Sequence, residues 1–149
     1  MSHGQDQKTF YGSCHCGRIG LEFSTCQLPA TLIPRVCDCS FCQKHGAAYV
    51  SDPAGKLRLT IADPAAVRSC RQGSQVARFQ LCSECGVLVA VVFEHDGRVY
   101  GALNARCLDG STVLAAAVSV SPQLLSSAEK VERWLRAWVP DVQFVVAGV

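Results

Sequence analysis

Phe79-Gln80-Leu81-Cys82-Ser83-Glu84-Cys85-Gly86-Val87-Leu88-Val89-Ala90-Val91-Val92-Phe93 is the stretch on which the fold turns. Cys82 and Cys85, two residues apart and followed by Gly86, have the form of a zinc knuckle. The glycine lets the chain turn while backbone N–H groups face the sulfurs. Val87 to Phe93 is a continuous apolar run of strand length, which predicts burial on both faces. His95-Asp96-Gly97-Arg98 then supplies hairpin chemistry through Asp-Gly, and Val99 to Leu103 is the returning strand. A metal-binding knuckle that feeds a buried hairpin predicts β structure on both sides of it.

Outward from that hairpin the chain continues in strands. Ile19 to Phe23 and Leu57 to Ile61 alternate as half-buried strands should, and Lys8 to Gly12, Val67 to Arg71 and Val76 to Leu81 are further candidates. One helix is expected, over 121–139. Ser121 suits its cap, Pro122 its first position, and Pro140 stops it. Leu124, Ala128, Val131, Leu135 and Trp138 form one stripe, with Glu129, Lys130, Glu132, Arg133 and Arg136 largely opposite. That pattern predicts a lid packed on a sheet, with Trp134 and Trp138 as core or lid residues. The expected fold is mainly β with one C-terminal amphipathic helix, as a single domain over 1–149.

A chain of 149 residues fits one domain, and 49% hydrophobic against 17% charged residues excludes a disordered chain. A formal charge of +2 lacks the basic footprint of a nucleic-acid binder. The longest uncharged run, 110–128, is broken by Pro122 and several serines, so no membrane span is expected. Met1 to Lys8 lacks the apolar stretch of an export signal, which predicts a cytoplasmic protein. In that reducing compartment 10 cysteines point to metal binding or catalysis rather than to disulfides.

Seven cysteines fall into three groups: Cys14 and Cys16, then Cys37, Cys39 and Cys42, then Cys82 and Cys85. Thiols so close in sequence make poor disulfides with each other but good ligands for one ion. Cys82 and Cys85 need a second pair, and Cys14 with Cys16 completes four thiolates. The middle group keeps three. Four thiolates close a coordination sphere, as structural zinc sites do, whereas three leave a position for water or substrate, as catalytic ones do. The other possibility is that His45 closes the middle site as Cys₃His, with His15, Asp38 and Cys107 as weaker rivals. Cys26, Cys70 and Cys107 stand apart and are read as small buried hydrophobes rather than a redox switch.

The chain resembles the family of glutathione-dependent formaldehyde-activating enzymes, which also includes centromere-protein-V-like proteins. The resemblance is carried by Gly12-Ser13-Cys14-His15-Cys16-Gly17-Arg18, by Cys37-Asp38-Cys39-Ser40-Phe41-Cys42-Gln43-Lys44 with Gly46-Ala47, and by Phe79 to Gly86. Asn104 with Leu108-Asp109 is similar to the family's asparagine-bearing segment, so the match spans roughly residues 8 to 110. It implies a compact fold of antiparallel sheets organised around cysteine-bound zinc, with two zinc ions per chain: a structural one on Cys14, Cys16, Cys82 and Cys85, and an active-site one on Cys37, Cys39 and Cys42. It also implies carbon–sulfur lyase chemistry, with glutathione or another thiol joined to a small aldehyde.

For that chemistry the catalytic set is Cys37, Cys39, Cys42 and His45, the last as proton donor. Arg18, Arg78 and Lys44 lie beside cysteine groups and are candidates to hold a substrate carboxylate. Asn104 serves either the pocket or a turn. Asp38 stands where many members have histidine, and His45 where a small residue is common. The segment after Asp109 does not look like the family's usual C-terminal part. The other functional reading is a non-catalytic protein-interaction module in which both zinc sites are structural. Neither nucleic acid nor membrane is expected as a partner under either reading.

Overall fold

The run from Leu88 to His95 does form a strand, and its first six residues are all buried. In the computed structural model, which describes residues 7–72, 75–110 and 114–147, it is the eighth of eleven strands. The start of the N-terminal stretch used to exclude an export signal lies outside the described residues, as does Val113. Asp96 and Gly97 both take positive φ, 50° and 77°, the pairing a type I′ turn requires. The turn returns the chain as β9 (Arg98–Asn104), antiparallel to β8 (Leu88–His95).

Two sheets follow. One has four strands in the order β1 (Lys8–Ser13), β2 (Ile19–Thr25), β5 (Lys56–Ile61) and β11 (Val142–Val146). The other has seven, with β10 (Val118–Val120), β3 (Arg35–Cys37) and β4 (Ala48–Val50) on one side of the β9–β8 hairpin. On its other side lie β7 (Arg78–Cys82) and β6 (Val67–Arg71). The mainly β expectation is met, and the anticipated strands are present, although β7 begins at Arg78 rather than Val76. The antiparallel expectation needs one refinement: the edge pairs β10–β3 and β11–β5 are parallel. Parallel neighbours require a long crossover, and both edge strands come from the C-terminal third of the chain.

Burial on both faces of β8 has a simple cause. Val89, Ala90 and Val92 pack with Leu21, Phe23 and Leu59 of the four-stranded sheet. Leu88, Val91 and Phe93 join a second cluster, with Phe79, Trp134 and Trp138, on the opposite face. Alternation slips at Val89-Ala90, where the pairing with β7 shifts register between Gln80 and Leu81, as a β-bulge does.

The second cluster is roofed by the C-terminal helix. It begins later than the sequence suggests: α2 spans Ser127–Ala137, and Pro122–Leu124 form a separate 3₁₀ turn. Ser126 rather than Ser121 is the cap, because only Ser126 has a glutamate three residues on. Glu129 N donates to Ser126 Oγ at 3.1 Å, and Ser126 N to Glu129 Oε1 at 2.8 Å. Leu124 is 81% exposed and Ala128 is exposed, so the first two members of the expected stripe leave the core. Trp134 and Trp138 stack at 4.7 Å, and both rings lie against Phe93, at 5.2 and 5.7 Å. A short helix the sequence reading did not anticipate, α1 (Ser40–His45), ends at Gly46 in left-handed conformation.

Gly12 shows how closely the strands are drawn together near the first cysteine pair. A Cβ there would collide with the Cys107 carbonyl oxygen and come within 2.8 Å of the Leu108 Cα, both backbone atoms that cannot rotate away. Gly12→Ala is therefore expected to destabilise the fold by about 1–3 kcal/mol, read as a lower urea midpoint with unchanged slope.

Candidate metal centre

Two cysteine turns meet where the two sheets approach. Cys14 and Cys16 lie between β1 and β2, Cys82 ends β7, and Cys85 lies between β7 and β8. Each turn closes on a glycine with positive φ, Gly17 at 84° and Gly86 at 78°. Ile19 N points at Cys14 Sγ at 3.4 Å, and Cys85 N at Cys82 Sγ at 3.5 Å. The four sulfurs lie within 4.8 Å of one another. Cys14–Cys16 and Cys16–Cys82 are 3.7 and 3.5 Å apart. A tetrahedron with metal–sulfur bonds near 2.3 Å has edges of about 3.8 Å, so the cage has the size a metal needs.

The four thiols also divide their protons unevenly. Burial pushes Cys85 upward, but N–H groups of Val87 and Cys16 and neighbouring thiols outweigh it and bring it down to about 6. Cys16 is pulled down by Arg18 N–H, yet burial and its own donation to Cys82, Cys14 and Cys85 raise it to about 11.

The middle group is built differently. Cys37 ends β3, Cys39 caps α1 and Cys42 lies in the helix's first turn, with Cys42 N donating to Cys39 Sγ at 3.4 Å. Their three sulfurs again lie within 4.8 Å of one another. A proton donated by Cys42, opposed by burial, brings Cys37 down to about 6. That donation and burial hold Cys42 far above the ordinary thiol range. Tyr49 Oη lies 3.3 Å from Cys42 Sγ, and burial beside these sulfurs keeps its phenol protonated. Gln72 Nε2 approaches Cys39 Sγ at 3.9 Å.

Among the described residues no fourth Cys, His, Asp or Glu joins these three. His45, the last residue of α1, is exposed and packs its ring on Phe41 at 4.6 Å, one turn back. Asp38 is engaged elsewhere: its carboxylate accepts from Ser121 Oγ at 2.5 Å and Gln123 Nε2 at 3.1 Å. Cys107 is buried near the four-cysteine cage, its thiol donating to Leu88 O at 3.5 Å, and His15 is exposed. Of the other unassigned cysteines, Cys26 is exposed and Cys70 half-buried, so only Cys107 meets the expectation of a small buried residue. Asn104 serves the turn. Its side chain accepts from Arg106 N and Ala48 N and donates to Leu88 O, holding β9, β4 and β8 together.

A cavity of about 230 Å³ opens beside the three cysteines. Tyr49, Gln72 and Phe79 line it with the three cysteines, as do Lys130, Arg133 and Trp134 of α2 and Trp138 just past its end. Arg35 lines it from β3, held by a 2.8 Å hydrogen bond to Ser51 Oγ, which in turn donates to Ala137 O at 2.7 Å. Burial and the nearby Arg133 charge lower the proton affinity of Arg35. Among the described residues none of Arg35, Lys130 and Arg133 has a carboxylate within 4.0 Å.

Sequence reasoning placed the cations elsewhere. Arg18 faces Asp63 at 3.9 Å, Arg78 faces Glu94 at 3.4 Å, and Lys44 is exposed on α1; none lines the cavity. Two signals were available. Arg35 and Cys37 share a face of a strand by alternation, and Lys130, Arg133, Trp134 and Ala137 share a helix face by three- and four-residue steps. The tryptophans are buried, as expected of core residues, but they are also cavity wall.

Residues 9–122 match the family model described as glutathione-dependent formaldehyde-activating enzyme. The chain belongs to that family. A crystal structure of a Rhodobacter sphaeroides protein is similar in fold to this glutathione-dependent formaldehyde-activating enzyme family member. Identity is 21% and the TM-score 0.51, over 72% of this chain and 99% of that one. No curated protein is significantly similar in sequence. The family match ends at residue 122, before α2, so the helical wall with its two cations and two tryptophans lies beyond it. Among the described residues no helix is long and apolar enough to cross a membrane.

Asp38 ties the end of the matched region to the three-cysteine loop. Asp38→Ala should cost about 1–2 kcal/mol of stability, and limited proteolysis should show earlier cleavage within 121–126. Unchanged cleavage kinetics there would mean that the carboxylate holds nothing.

Proposed function

We propose that the chain is a zinc-dependent enzyme of the carbon–sulfur lyase type that joins or separates a glutathione-like thiol and a small aldehyde. The observation that carries this reading is a three-thiol cluster facing a cavity, with no fourth side-chain donor beside it among the described residues. The four-thiol cage nearby completes itself. The sulfur donor sets, the sulfur–sulfur distances and the N–H groups aimed at sulfur all suit zinc. In this reading Cys14, Cys16, Cys82 and Cys85 hold a structural ion, and Cys37, Cys39 and Cys42 hold a second. Zinc bound by the three thiolates supplies an open position that keeps an incoming thiol ionised or polarises a carbonyl oxygen.

The chain's own residues do the rest. Sulfur adds to the aldehyde carbon, a C–S bond forms, and the proton lost by the thiol ends on the former carbonyl oxygen; the reverse sequence breaks the bond. A proton donor is therefore needed inside the cavity. Tyr49 lines it and remains protonated at neutral pH, whereas His45 was the sequence's choice and does not line it. Tyr49 is thus the better placed donor. Phe79, Trp134 and Trp138 give the cavity apolar walls that limit water, which strengthens every charge interaction inside. The free state of all 10 cysteines fits a reducing compartment, which supports a cytoplasmic location.

Metal analysis of the purified protein should return about two zinc ions per chain. Cys39→Ser should lose one of them and all turnover of thiol–aldehyde adducts while keeping native circular dichroism. Cys85→Ser should fail to fold, because structural metal binding is folding free energy. Full turnover in Cys39→Ser overturns the enzyme reading. Zinc K-edge spectroscopy showing a side-chain nitrogen completing the three-sulfur site would favour the purely structural alternative.

A further inference from the structure

Among the described residues the cationic wall of the cavity has no acidic counterpart. Arg35 approaches from β3, and Lys130 and Arg133 from α2; all three are half-buried, and among the described residues none is paired with a carboxylate. The other arginines either face an acidic residue, as Arg18, Arg58, Arg78 and Arg136 do, or are exposed to water, as Arg68, Arg71, Arg98 and Arg106 are. Charges withdrawn from water normally acquire partners, because desolvation of an unpaired ion is costly. No described residue supplies that partner, which leaves the place open to an anion from solution. Guanidinium groups favour planar, bidentate anions, and carboxylate is the smallest of these. Phe79, Trp134 and Trp138 line the same cavity as the cations and the sulfurs, and suit a short apolar body.

We infer that this cavity selects a small thiol-bearing carboxylic acid, its carboxylate held by Arg35, Lys130 and Arg133 and its sulfur directed at the three cysteines. The sulfur end rests on the function proposed above; the carboxylate end stands on the arginines alone. Because α2 lies beyond the family match, the selection belongs to this chain's own C-terminal segment. The cavity, at about 230 Å³, is below the usual range for drug-sized ligands, which favours a short acid over a bulky one.

Both tryptophans of the chain, Trp134 and Trp138, line the cavity, so intrinsic fluorescence reports occupancy without any assay of turnover. Three probes separate the two ends in zinc-loaded protein: 3-mercaptopropionate, its methyl ester, and butyrate, which has methyl in place of the thiol. The acid should bind roughly tenfold or more tightly than the ester. Arg133→Gln should abolish that preference and leave the ester's affinity unchanged, which also shows that the variant is folded. Butyrate should quench wild type and Cys39→Ser alike and lose its effect in Arg133→Gln. Equal binding of acid and ester by wild type, or equal weakening of both in Arg133→Gln, overturns the inference; so does inorganic phosphate displacing the acid better than butyrate does. Should the ester bind Cys39→Ser as well as wild type, the thiol reading falls while the carboxylate site stands.

Discussion

The four-thiol cage takes one turn from each sheet, and that is the constraint on which the remainder depends. Cys14 and Cys16 leave the four-stranded sheet, Cys82 and Cys85 the seven-stranded one, and their sulfurs converge within a few ångströms. A metal in such a cage is a cross-link between layers. Sites of this kind contribute on the order of 10 kcal/mol to folding in small domains, comparable with a whole domain's net stability. The same turns set the start of β2 and of β8, and hence which residues of those strands face inward. Gly12 and Cys107 sit in backbone contact beside this junction, which leaves the strand no room to shift.

Fixing β8 fixes both cores. One face of that strand meets the four-stranded sheet and the other meets Trp134 and Trp138, so the position of α2 follows from the register set at the knuckle. The three-cysteine loop is placed by the far side of the same sheet. β3 and β4 continue from β9, and Asn104 at the end of β9 holds Ala48 N and Leu88 O at once. The four-cysteine cage and the three-cysteine cluster are in this way linked through one continuous sheet.

How much of this was legible depends on whether the signal was local. The knuckle, the β8–β9 hairpin and the grouping of cysteines were readable because turn chemistry and close spacing constrain them within a few residues. The parallel edge strands were not, since Val118–Val120 and Val142–Val146 are recognisable as strands only beside β3 and β5. The helix start was misplaced although its capping box, Ser126 with Glu129, was in plain sequence; Pro122 drew the boundary toward a 3₁₀ turn instead. Lys130 and Arg133 were assigned to solvent because charge on a helix usually faces water. That rule fails where the helix borders a polar cavity instead of a closed core. His45 illustrates the opposite error, in which proximity in sequence to Cys42 suggested a role that the helix end turns away from.

The boundary of the family match carries a division of labour. Everything that positions sulfur, from Cys14 to Asn104, lies inside residues 9–122. What encloses the cavity opposite the three cysteines comes after that boundary. Asp38 bridges the two parts: it sits between two cysteines of the reactive loop, yet its carboxylate is spent on Ser121 and Gln123 just before α2. A helix tethered there and packed on Phe93 through Trp134 lines the cavity with Lys130 and Arg133, so under the selection inferred above changes at those two positions alter what the cavity admits without replacing a cysteine. Fold, metal and selectivity are then separable in this chain, with the last resting on residues that contribute to neither cysteine cluster.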